Sequence, residues 1–353
     1  MWSTALRCPS KRLNAKRAKS AQQILLAGLA AFAFNVALLA SPASAQYSMR
    51  RTPDLVQLED TAHHIVVSVA PLAGNLTREM TVNGRNILGP LGIPFLAPWA
   101  NRLDEQAFYA NGKRYAFNMD LGNVRGAHPI HGFLGAAKWD VVEAKADDRS
   151  AWVTSRLDVF RQPDWMAQFP FAHTIEITHR LRDGVLEIAV QLENISAEPM
   201  PVAIGFHPYF QVADAPRDAW TIGLAARTEW ILSPDKIPTG ETRPIEQRFP
   251  DPRASVLRDH DLDHVFGDLI RDASGRATMS VAGKSQKIDV VFGPNYRAAV
   301  VYAPKGRDFI CFEPMAGITD SMNLAQRGLY KDLQHITPGG TWKESFWVHP
   351  TGF

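Results

Sequence analysis

Four short segments of this 353-residue chain place polar side chains where a plain sheet protein has no need of them. Asn101 and Arg102 follow Pro98-Trp99-Ala100 and precede a hairpin signal at Asn111-Gly112. His128-Pro129-Ile130-His131-Gly132-Phe133 follows a Gly-containing loop, with Trp139 eight residues beyond His131. His207 sits within Gly205-Phe206-His207-Pro208-Tyr209-Phe210, and Glu313 closes the apolar run Phe309-Ile310-Cys311-Phe312 ahead of Pro314. No Ser or Cys stands in a recognisable nucleophile elbow, so acyl transfer has no support. Glycoside hydrolysis by the usual route needs two carboxylates flanking one bond, and only Glu313 presents itself. The spacing of His128, His131 and His207 fits no metal-ligand signature. What remains is a Glu–His pair, which suits proton transfer at two oxygens of one substrate.

Each of these residues has an ordinary alternative. A histidine beside Pro-Tyr-Phe is commonly a satisfied core or rim residue, and His128 reads as a structural loop residue. Arg102 has Asp104 and Glu105 nearby for a surface ion pair. The acids of Arg258-Asp259-His260-Asp261-Leu262-Asp263 are typical of a solvated loop. A strand that ends in Glu-Pro cannot easily continue its ladder, which predicts Glu313 at a sheet rim.

The elements that must position these groups are nearly all strands. His173–Arg182 alternates, Asp183-Gly184 supplies a turn, and Val185–Glu193 alternates back, a strong hairpin pattern. Similar runs occur at Ile65–Val69, Trp139–Ala144, Ala151–Val159, Trp220–Leu224, Ala277–Val281, Ile288–Phe292, Ala298–Tyr302, Phe309–Phe312 and Glu344–Val348. Beyond residue 45 no helical periodicity lasts more than about two turns. Strands do not alternate with ten-residue helices, which argues against a parallel α/β sheet. The expected fold is all-β: one large antiparallel β-sandwich domain over residues 46–353. Residues 213–217 and 235–240 read as surface loops within it.

Residues 1–45 read differently. Six basic residues and no acid precede an apolar run from Ile24 to Ala40, and Ser41-Pro42-Ala43-Ser44-Ala45 supplies an A-x-A cleavage site. That order is the pattern of a secretory signal peptide, so an exported, periplasmic protein is expected, with no stable membrane insertion after cleavage. The alternative is an uncleaved anchor, for which 17 residues lie near the lower limit. Because the segment carries six of the 38 Lys and Arg and none of the 36 Asp and Glu, 32 basic residues face 36 acidic ones in the rest. A nucleic-acid partner is therefore not expected. Cys8 and Cys311 are the only cysteines. Once Cys8 leaves with the signal, no internal disulfide is available, and Cys311 reads as a buried, inert thiol.

The motifs resemble those of the aldose 1-epimerase family. Asn101-Arg102 is similar to its Asn-Arg pair, His131-Gly132 upstream of Trp139 to its His-Gly motif, and His207-Pro208-Tyr209-Phe210 to its His-x-Tyr-Phe motif. Ile237–Glu241 resembles its Ile-Pro-Thr-Gly-Glu loop, Asp263-His264-Val265-Phe266 its Asp-His-x-Phe segment, and Glu313-Pro314 its strand end. Six motifs occur in family order over residues 101–314. The resemblance implies a galactose mutarotase-like supersandwich that interconverts hexose anomers. In that scheme His207 is the general acid at the ring oxygen and Glu313 the base at the C1 hydroxyl. Arg102, His131 and Asn101 contact the sugar, and Asp263 accepts from ring hydroxyls. Neither metal nor organic cofactor is implied, and the partner is a monosaccharide. The family's best-known members carry two glycines after the first histidine, whereas Phe133 follows Gly132 here. That shorter form resembles a branch containing hexose-6-phosphate epimerases. A phosphosugar epimerase, with Arg125 and Lys138 as candidate phosphate cations, is the nearest rival. A non-catalytic sugar-binding module is the other.

Overall fold

Asp183 and Gly184 both adopt positive φ, 50° and 76°, the backbone that a two-residue hairpin needs to match strand twist. The turn joins His173–Arg182 to Val185–Asn194 in full register from His173↔Asn194 to Arg182↔Val185. Alternate residues of both strands are buried, which fixes the register because a one-residue slip would turn every apolar side chain outward. This hairpin lies within a nine-stranded antiparallel sheet. Across it run Asp140–Ala146, Ala151–Asp158, His173–Arg182, Val185–Asn194, Thr341–Thr351, Lys287–Phe292, Ala277–Ala282, Thr221–Gly223 and Ser255–Val256.

A second, eight-stranded sheet carries the segments singled out in the sequence. Its order is Pro238–Pro244, Ala226–Leu232, Leu262–Leu269, Ala298–Ala303, Ile310–Met315, Gly205–Phe206 and Phe95–Leu96, with Tyr209–Phe210 also paired to Ile310–Met315. The two sheets face each other. Phe206 of one meets Phe346 of the other with ring centroids 4.9 Å apart, and Phe312, Phe292 and Tyr296 are fully buried in the same core. A five-stranded sheet over residues 47–86 adds its own apolar side chains to that core. Gln46–Phe353 make up one compact unit.

The computed structural model describes residues 45–120 and 123–353. The segment expected to direct export lies outside them, apart from Ala45. Two local expectations fail. Of residues 235–240, expected as a loop, 235–237 lie outside any strand, but 238–240 belong to the edge strand Pro238–Pro244, a position where Pro238 and Pro244 can sit without breaking a central ladder. The acidic run ending at Asp263 is loop only as far as Asp261. Leu257–Asp259 form a 3-10 turn, and Leu262–Leu269 is a strand of the eight-stranded sheet. Its buried Leu262, Val265 and Phe266 outweigh the acids that precede them.

Candidate active site

The site is built on the face of the eight-stranded sheet turned away from the main core. Register aligns Asp263 with Tyr302, Tyr302 with Cys311, and Cys311 with Tyr209. A second row, two residues along, aligns Val265 with Val300 and Val300 with Glu313. Side chains two apart on a strand share a face, so Asp263, Tyr302, Tyr209 and Glu313 point to one side. The intervening Phe206, Phe210, Phe312 and Val301 point into the core.

Glu313 is not at the rim. It is 1 % exposed and lies inside the strand Ile310–Met315, which runs on through Pro314. The reason lies in the neighbouring chain. Gly205 pairs with Met315 and Tyr209 with Cys311, but between them the ladder is interrupted. The N–H groups of His207 and Tyr209 donate instead to the carbonyls of Pro94 and Gly92, each at 2.9 Å. With no partner carbonyl demanding a donor from residue 314, a proline fits there. The same interruption sets His207 opposite Glu313.

Nε2 of His207 lies 3.3 Å from Oε1 of Glu313. The His207 ring stacks on Tyr209 at 4.6 Å and 5°, and the Tyr209 hydroxyl is 3.5 Å from the same Nε2. Nδ1 of His207, Oε2 of Glu313 and Nδ2 of Asn101 are buried with no hydrogen-bond partner among the described residues. Buried polar atoms are nearly always paired, so three at one place mark a site that a polar ligand completes. Burial, reinforced by the Asp263 carboxylate and only partly opposed by Arg102, pushes the Glu313 carboxyl well above its ordinary range. Burial and the neighbouring His131 push His207 down to about 3. Both shifts favour the doubly neutral form of the pair over the carboxylate–imidazolium form.

The opposite wall comes from two loops. His131 and Asn101 have φ of 60° and 56° and bind each other. The His131 N–H donates to the Asn101 carbonyl at 2.9 Å, and the Asn101 N–H donates to Nδ1 of His131 at 3.3 Å. Accepting at Nδ1 leaves the His131 proton on Nε2, a neutral donor. Burial, Arg102 and Arg125 together push this histidine down to about 4. Its ring meets His207 edge-on, 5.5 Å between centroids. Asp320, itself at φ 60°, accepts from the Asp104 N–H at 3.0 Å and so braces the loop two residues beyond Arg102.

Asn101, Arg102, His131, His207, Asp263 and Glu313 thus line one pocket, joined by Arg125, Ile130, Tyr209 and Tyr302, with a cavity volume of about 110 Å³. Asp104 and Glu105 pair with Arg327, not with Arg102. His128 does not line the pocket. Its Nδ1 lies 3.0 Å from the Leu103 carbonyl, in the structural role read from the sequence. Lys138 is exposed, just ahead of the strand Asp140–Ala146, and does not line the pocket. Tyr302 escaped notice in the sequence because Ala298–Tyr302 is apolar on both faces and reads as core. Tyr209 was visible only as part of the histidine motif.

Among the described residues no group of three or more His, Cys, Asp or Glu is placed to hold a metal ion, and no helix is long and apolar enough to cross a membrane. Residues 58–349 match the family model described as aldose 1-epimerase. The chain is 22 % identical over 246 residues to the uncharacterized protein YphB of Escherichia coli (strain K12), covering 69 % of this chain and 78 % of that one. Among solved structures it resembles a galactose mutarotase-like protein from Clostridium acetobutylicum, with TM-score 0.75 and 19 % identity over 87 % of this chain and 98 % of that one. It also resembles the galactose 1-epimerase of Lactobacillus acidophilus NCFM, with TM-score 0.69 and 16 % identity over 88 % and 100 %.

Proposed function

The chain belongs to the aldose 1-epimerase family, and we propose that it interconverts the α and β anomers of free hexoses by acid–base opening and closing of the sugar ring. The observation that carries this reading is the His207–Glu313 contact of 3.3 Å in a pocket that also holds Asn101, Arg102, His131 and Asp263.

In the forward direction Glu313, as carboxylate, takes the proton from the C1 hydroxyl. The C1–ring-oxygen bond breaks as the C1 carbonyl forms, and the ring oxygen takes a proton from the His207 imidazolium. The open aldehyde turns about C1–C2, and the same steps reversed close the ring on the other face. The carboxylate–imidazolium form and the doubly neutral form of the pair contain the same number of protons. One transfer along the 3.3 Å contact interconverts them, so no proton need come from solvent. Arg102 opposes the burial that protonates Glu313. Tyr209 holds the imidazole plane by stacking. His131 donates from Nε2 to a sugar oxygen, Asn101 donates from its unpaired Nδ2, and Asp263 accepts from ring hydroxyls. Mutarotation proceeds unaided in water, so two placed proton carriers and a fixed sugar are sufficient.

Polarimetry on freshly dissolved α-glucose and α-galactose tests this. The wild type speeds the approach to equilibrium rotation, and His207→Ala or Glu313→Ala removes the effect; variants that match the wild type defeat the role assignment. A hexose-6-phosphate 1-epimerase is the second reading, favoured by Arg125 beside Arg102 in the pocket and disfavoured by the position of Lys138 outside it. Residues 1–45 are proposed to direct export to the periplasm, where free sugars rather than phosphosugars are met.

A further inference from the structure

We propose that the preferred substrate is a hexose oxidised at C6, a hexuronate, whose carboxylate is bound by Arg125. The inference rests on the epimerase reading and narrows its substrate class.

Arg125 lies on the short hairpin Val124–Arg125 with His128–Pro129, on the wall of the pocket that also holds Tyr209 and Tyr302. Its charge is close enough to act on His131, Tyr209 and Tyr302. Some exposed arginines of this chain find carboxylates. Arg227 meets Asp268, and Arg327 meets both Asp104 and Glu105. Among the described residues Arg125 and Arg102 have no carboxylate partner, although both face the same cavity. Two guanidiniums in one pocket lining, neither in ion-pair contact with a carboxylate, are open to a planar anion through forked hydrogen bonds.

Arg102 and Arg125 bring two cations to a lining that also holds Asp263 and Glu313, and burial pushes the Glu313 carboxyl up, toward its neutral form. A hexuronate brings one carboxylate to that lining, and a neutral hexose brings none. Arg102 adjoins the proton-transfer pair, acting on the Glu313 charge, which suits it to the hydroxyls at the reacting end. Arg125 stands on a separate element and is free to take the far end of the sugar ring, where C6 projects.

The test measures kcat/KM of the wild type by anomer-exchange NMR with galacturonate, glucuronate, galactose, glucose and glucose 6-phosphate. A uronate is expected to exceed its neutral hexose at least tenfold, and Arg125→Gln is expected to reduce that ratio at least tenfold, with Arg125→Lys recovering part of it. Calorimetric titration of the Glu313→Gln protein with galacturonate and galactose reads the same preference without turnover. Preference for galacturonate there, with no exchange of any sugar by the wild type, would keep the binding of the acid at this pocket while the epimerase reading fails. Equal binding of acid and neutral sugar, a preference that survives Arg125→Gln, or faster turnover of glucose 6-phosphate than of either uronate would overturn it.

Discussion

His207 and Glu313 stand opposite each other where the pairing of their strands is interrupted, with Nε2 and Oε1 3.3 Å apart. Because each titrates in the field of the other, the protons leave in steps that belong to the pair. Removing either member should be nearly as damaging as removing both, since neither can carry a proton across the sugar alone. His207→Gln and Glu313→Gln are each expected to lower kcat by roughly 10²–10⁴-fold, and the double variant by little more. Polarimetry or anomer-exchange NMR measures this. Single losses that multiply in the double variant would mean that the two groups act independently.

Glu313 should also cost the fold stability at neutral pH. Its carboxyl is buried and pushed up, so the folded protein keeps a proton that the unfolded chain gives up near pH 4.3. Stability from the protonated form is complete below that value and is lost as pH rises. Glutamine keeps the shape and has nothing to ionise. Urea midpoints of Glu313→Gln should therefore exceed those of the wild type at pH 8 by a larger margin than at pH 4.5. A margin independent of pH would show that Glu313 is not held protonated.

The residues legible in the sequence were those whose motifs place them at strand ends or in turns. His207 and Glu313 stand out because each lies in a motif that resembles the family's, and Asp183-Gly184 announces its hairpin through backbone chemistry alone. Glu313 was misplaced at a rim because Pro314 forbids pairing only where a partner strand is present, and the break at His207-Pro208 is a fact of tertiary structure. Asp263 was read as loop because acids dominate residues 259–263, while the burial of Leu262, Val265 and Phe266 decides the strand. Arg125 appeared only as a candidate phosphate cation, and Tyr302 not at all. What brings them to the site is the folding of a hairpin and a mid-sheet strand about 180 residues apart.

Gly132 sits directly behind His131 at φ 62°, and a Cβ there would come within 1.9 Å of the Ala97 carbonyl oxygen. Backbone cannot yield as a side-chain tip can, so Gly132→Ala must move the His131 loop and also strain a left-handed residue. The expected cost is about 1–3 kcal/mol of stability, with KM rising more than kcat falls because His131 loses its place while the proton pair keeps its own. Thermal unfolding and sugar titration of the rate check both. A fall confined to kcat would put His131 among the proton carriers.

Two histidines remote from the pocket should set the acid limit of the fold. His173 and His179 are buried in the strand His173–Arg182 of the nine-stranded sheet. Burial pushes them down to about 4 and about 3. The Nδ1–H of His173 has the Phe171 carbonyl as a partner at 2.7 Å, whereas Nδ1 of His179 has none among the described residues. In the unfolded chain both titrate near pH 6.5. The stability contributed by the neutral rings is therefore complete above that pH and falls as pH drops toward the folded values. The slope approaches about 1.4 kcal/mol per pH unit for each ring. His179→Leu removes one titrating group and one unpaired nitrogen from the core. Its urea midpoint relative to the wild type should rise steadily between pH 7.5 and pH 5, and an offset that stays constant across that range would place the acid sensitivity elsewhere.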